Sequence, residues 1–157
     1  SCKHLNFDRK DIQMVKLKNF LYCAGTRNEV RKSGEPPVTV VDGLLNALTP
    51  DFIPGNYSFS VVFSILNLQR DEDYVVRLSF MNDKGDEIVK TDNVALDSNP
   101  KNAFDIPNEY FGYNVCIDLR NVLLEHEGKY CAKVYINEKE EGEYPIYIKG
   151  KKVLSND

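Results

Sequence analysis

Tryptophan is absent from these 157 residues, and there are only two histidines and two methionines. With His4 and His126 as the sole imidazoles, a zinc site would have to be assembled from scattered ligands. Cys2, Cys23, Cys116 and Cys131 show no C-x-x-C spacing to help. Neither a metal nor a cofactor is expected. No apolar run approaches the ~20 residues of a membrane helix, and no signal peptide is visible, so no membrane span is expected. Excess positive charge is missing too. The net charge is −4, whereas phosphate contact needs clustered Lys and Arg, so nucleic acid is not an expected partner. Cysteines with no disulfide framework fit a reducing cytoplasm. A Cys beside the first residue also leaves open a trimmed lipoprotein or a secreted domain.

Hydrophobic residues make up 42% and charged residues 28%, the balance of a chain that folds on a core of its own. The length suits one domain. Its charge is unevenly spread. Residues 1–40 carry eight Lys/Arg against four Asp/Glu, so the remainder holds −8. Such asymmetry permits a basic arm to meet an acidic body between subunits.

The organisation expected is a polar N-terminal arm over 1–13, a β-domain over 14–150 and a C-terminal tail over 151–157. Residues 14–24 alternate well enough for a first strand, with Val15 and Leu17 on one face and Lys16 and Lys18 on the other. The charged stretch 27–37 reads as a loop. Gly43, inside the strand-like stretch 38–48, suggests a bulge or bend. Pro50 and Pro54 bracket a turn. Tyr57, Phe59, Val61, Phe63 and Ile65 then share one side of the clearest strand, opposite Ser58, Ser60 and Ser64, as a sheet with one wet face requires. A strand over 74–81 and a hairpin at 82–86 follow. Residues 92–110 look irregular, with Pro100 and Pro107 blocking pairing. Residues 114–119 and 129–136 alternate again, a turn spans 137–142, and 144–149 closes the domain. These segments predict an all-β fold, a single antiparallel β-sandwich of roughly seven or eight strands.

The stretch from Glu125 to Cys131 resembles the start of the penultimate strand in an immunoglobulin-type fold. There a Gly precedes a buried Tyr whose hydroxyl ties the corner to upstream backbone; Gly128 and Tyr130 fit. Ala132 stands where antibody domains carry a bridging Cys, so only the immunoglobulin-like architecture carries over. Over about residues 17–149 the chain resembles a family of small uncharacterised bacterial and phage-associated sandwich domains. The matching features are the small-residue turn at Tyr22-Cys23-Ala24, Val40 to Gly43, Pro54 to Phe63, the hairpin Arg77 to Ile88, and Gly128 to Ile148. That resemblance implies a fold of unknown function and transfers no site residue.

No catalytic constellation stands out. Cys131 with His126 is the pairing a thiol-dependent enzyme would use, but a loop histidine between two glutamates is ordinarily solvated. The carboxylates at 71–73, 125/127 and 138–141 lie in turns, where acidic residues keep sheets soluble. Three aromatics, Tyr110, Phe111 and Tyr113, fall within four positions of a loop, and Tyr-rich loops offer large contact area at low entropy cost. The alternative is that these rings fold back to cap the open end of the sandwich. Phe52 and Ile53, between their prolines, form a second candidate surface. The expectation is a non-catalytic binding or assembly module with a protein partner or self-association. A small-ligand sandwich for carbohydrate or calcium is the alternative.

Overall fold

The computed structural model describes residues 14–97 and 105–154. The polar arm expected at 1–13 lies outside them. Twelve strands are present among the described residues: β1 Lys16–Glu29, β2 Val38–Leu45, β3 Ala47–Leu48, β4 Phe52–Ile53, β5 Gly55–Leu66, β6 Tyr74–Asn82, β7 Glu87–Lys90, β8 Val94–Leu96, β9 Gly112–Leu124, β10 Gly128–Ile136, β11 Lys139–Ile148 and β12 Lys152–Val153. The surplus over the expected number consists of β3, β4, β8 and β12, each too short to show alternation in the sequence.

One sheet has the order β2-β1-β5-β9, and the other β3-β11-β10-β6-β7 with β8 also on β6. Adjacent β5 and β9 facing β11-β10-β6 reproduce the B–E and G–F–C pairings of immunoglobulin sandwiches. The corner tyrosine is in place: the Tyr130 hydroxyl donates to the His126 carbonyl at 2.9 Å. The fold is therefore an immunoglobulin-like, all-β sandwich. Ala132 is fully buried in the core.

Period two places the core as the alternation requires. Phe59, Val61, Phe63 and Ile65 from β5 meet Val76, Leu78 and Phe80 from β6, all at 1% exposure or less. The outer face of β5 mixes Ser58, Ser60 and Ser64 with Val62 and Leu66; Ser60, expected to be wet, is buried at 1% with its Oγ donating to Asp118 at 2.5 Å, and Ser64 Oγ donates to Asn114 at 2.7 Å.

Several boundaries differ from the sequence reading. The first strand does not stop at a small-residue turn. It leaves β5 after Cys23 and continues with β2 to Glu29. Gly43 has φ +66°, and a Cβ built there would sit 2.9 Å from Ala24 Cβ, so close backbone approach requires the glycine. The register runs through Gly43 without a shift, so the expected bulge or bend is only a local positive φ inside the strand. The turn expected over 137–142 is only Asn137-Glu138, both at positive φ, and β11 begins at Lys139. The irregular stretch 92–110 contains β8 and a 3₁₀ turn, Asn108–Tyr110. In the segment read as a tail, Lys152–Val153 pairs in parallel with β4.

Candidate functional site

The two candidate surfaces fall at opposite ends of the sandwich. At the end where β5 finishes and β9 starts, the aromatic trio separates into different roles. Tyr110 is 58% exposed on the 3₁₀ turn. Phe111 is buried at 5%, lies 4.0 Å beneath the Arg70 guanidinium, and its carbonyl accepts the Leu68 N–H at 3.1 Å. Tyr113 is half-buried and its hydroxyl donates to the Asp97 carbonyl. Phe111 thus caps the open end and is no surface contact, because its ring covers the core where β5 turns away. Tyr110 alone of the three projects outward.

The other end is built by a bulge. Along β9, Val115, Ile117 and Leu119 face inward, and the register against β5 then shifts between Tyr57 and Phe59. Asn121 takes φ 53°, a left-handed conformation that Asn tolerates better than most residues, and its N–H donates to Ser58 Oγ at 2.9 Å. One extra residue flips the alternation. Val122 and Leu124 turn into the core, and Leu123 turns out at 48% exposure. An uninterrupted strand would have pointed Leu123 inward.

Across from Leu123 runs β12, with Val153 at 53% and Leu154 at 44% exposure. Between them lies an open groove of about 570 Å³, also lined by Ile53 and Pro54 and rimmed by Glu125, His126 and Glu127. Alternation along β4 buries Ile53 at 3% and leaves Phe52 outward at 49%. Of that candidate pair, Ile53 is core that shows one edge to the groove, and Phe52 is surface at the same end. A second hollow of about 340 Å³ shares Leu123, Glu125 and His126 and continues toward Asp86 and Ile88.

The two rim carboxylates differ. Glu127 is held by Lys149 at 3.2 Å and by the Gly150 N–H at 2.9 Å, which fixes the turn against the start of β12. Glu125 has no ion-pair or hydrogen-bond partner among the described residues. Among the described residues, β12 pairs with no strand but β4. Lys152 and Leu154 donate their N–H groups to Asp51 at 3.1 Å and Ile53 at 2.7 Å. Alternation along a strand therefore turns the Val153 N–H and C=O away from β4.

Cys131 lies on the outer face of its sheet. Burial first, and then the Glu143 carboxylate, push its thiol up from the ordinary value. An activated nucleophile needs the reverse shift. No contact joins it to the His126 imidazole among the described residues. Among those residues no group of three or more His, Cys, Asp or Glu side chains is placed to hold a metal ion. No helix there is long and apolar enough to cross a membrane. Sequence reasoning missed Leu123, Val153 and Leu154, because the bulge that re-aims Leu123 shows only in the register.

A family model matches residues 30–149, and it describes a family of unknown function (DUF6941). The chain belongs to that family. No curated protein matches it. Among solved structures the chain is similar to the Pseudomonas fluorescens alkylpurine DNA glycosylase AlkC, bound there to DNA containing an abasic site analog. That match has a TM-score of 0.47 at 8% identity, and covers 86% of this chain and 30% of the glycosylase chain. It is also similar to an immunoglobulin-like protein from Pseudomonas aeruginosa, with a TM-score of 0.38 at 9% identity, covering 87% of this chain and 98% of that one.

Proposed function

We propose that this domain is a non-catalytic protein-recognition module whose contact surface is the end bearing Leu123, Val153 and Leu154. One observation carries the reading. A strained Asn121 bulge turns a leucine out of the core and sets it beside two further exposed aliphatic side chains around one groove. Apolar side chains gathered at one place on a polar surface favour a protein contact, because covering them removes their area from water. Bulges recur where a strand must re-aim a side chain beside a site. The raised Cys131 thiol gives no support to thiol catalysis.

The test uses the full chain as bait in lysate with a lysine-reactive cross-linker, and three forms: the wild type, Leu123→Glu and Tyr110→Ala. Leu123 and Tyr110 are both exposed, so both variants keep the fold, which circular dichroism checks. A partner retained by Tyr110→Ala and lost from Leu123→Glu supports the reading. Retention by Leu123→Glu with loss from Tyr110→Ala moves the contact to the opposite end and overturns it. Capture of a second copy of this chain by the same surface makes the module an assembly domain.

A further inference from the structure

Resting on that reading, we infer that the groove beside β12 takes an extended peptide segment in which an apolar side chain stands next to a basic one. Three independent features define this occupant. The first is shape. Small-molecule sites enclose most of their ligand, whereas Leu123, Val153 and Leu154 are each between 44% and 53% exposed around an open trough. The neighbouring hollow shares Leu123, Glu125 and His126 and is lined beyond them by Lys84, Asp86, Glu87 and Ile88, so the two together suit a chain better than a compact molecule, and the carboxylates outnumber the lysine.

The second is the backbone edge. The Val153 N–H and C=O face away from β4 and form a two-bond anchor for main chain laid alongside in extended conformation. Extended chain also alternates its side chains, so an apolar group directed at Leu123 and Leu154 is flanked by groups directed at the rim. The third is charge. Glu127 is already paired with Lys149 and the Gly150 N–H, but among the described residues Glu125 has no cation partner. A lysine or arginine of the incoming segment supplies it. An acidic segment would meet Glu125 with like charge.

Fluorescence anisotropy of labelled peptides on the full chain tests this. The probes are a peptide of alternating lysine and valine, its counterpart of alternating glutamate and valine, and the lysine–valine peptide with N-methylated backbone. The lysine–valine peptide is expected to bind, and the other two to bind at least tenfold more weakly. Glu125→Gln weakens binding roughly two- to fivefold at low salt, as an exposed ion pair dictates, and the difference fades at high salt. Leu123→Glu abolishes it. Equal binding of the lysine and glutamate peptides, or binding unchanged in both variants, overturns the inference. So does failure of the lysine–valine peptide to bind. If the cross-linked partner is nonetheless lost from Leu123→Glu, the recognition reading stands and only the peptide chemistry falls. If that capture is unchanged as well, both fall.

Discussion

Tyr22 shows what one side chain does for this sandwich. It stands on β1 in one sheet, yet its hydroxyl donates to the Tyr144 carbonyl at 2.5 Å and accepts the Ala132 N–H at 3.1 Å, both in the other sheet. Ala132 and Tyr144 are register partners in the β10–β11 ladder. The hydroxyl therefore bonds both members of one ladder pair and bolts β1 to that ladder. Burial drives the Tyr22 hydroxyl well above the ordinary tyrosine range, so it stays protonated and able to donate. Around it the packing is aromatic, with Phe20 stacked on Tyr144 at 4.0 Å between ring centroids. Tyr22→Phe keeps the ring and removes both hydrogen bonds that tie β1 to the opposite sheet. The expected cost is about 1–3 kcal/mol, read as a lower midpoint in urea with an unchanged slope. An unchanged midpoint would mean that the two inter-sheet bonds add nothing to stability.

At the level of elements, the strands with strict alternation were legible and the bulged ones were not. The β5 pattern Tyr57, Phe59, Val61, Phe63, Ile65 needs no tertiary information, and neither does the corner at Gly128 and Tyr130. A bulge breaks parity, so a reader following period two stops where the strand in fact continues. In β9 the alternation ends at Leu119, but the strand runs to Leu124 because Asn121 absorbs one residue. Asn19 does the same in β1: Leu17 points in, and then Phe20 and Tyr22 do. The groove escaped the sequence for a related reason, since Leu123 looks like core until its register is known and, among the described residues, β12 pairs with the two-residue β4 alone. Of the five non-glycine residues with positive φ among the described residues, four are asparagines, at 19, 67, 121 and 137. That regularity makes the bulge testable. Asn121→Gly should leave stability within about 1 kcal/mol of wild type, because glycine accepts the conformation but loses more freedom on folding. Asn121→Val should cost about 1–2 kcal/mol, the penalty of a branched side chain in the left-handed region. Thermal unfolding of the two variants side by side decides it; equal melting would show that the bulge slides to another residue.

Across the whole molecule, the groups with displaced titrations point one way. Burial is the leading cause of a raised value for the hydroxyls of Tyr22, Tyr74, Tyr113, Tyr130 and Tyr144, and for the thiols of Cys23, Cys116 and Cys131. Each is neutral when protonated, and each is harder to ionise in the folded state than in the unfolded chain. Below the unfolded values both states hold the proton, so the full folding stability is present. Once pH passes the ordinary thiol value of about 8.5 and then the tyrosine value of about 10, the unfolded chain releases protons that the folded chain keeps. The unfolded state then binds fewer protons than the native one, and stability falls with each further rise in pH. The loss should be broad, because the contributing groups differ in burial, and it should level off only when the folded state itself ionises. Urea midpoints taken at roughly neutral pH and at about pH 10.5 should differ clearly, with the lower value at alkaline pH. In Tyr22→Phe the midpoint starts lower but falls less over the same interval, since its most strongly displaced tyrosine has been removed. A midpoint constant across that range would place these hydroxyls and thiols in water, and the interlocked aromatic core between the sheets would not exist as described.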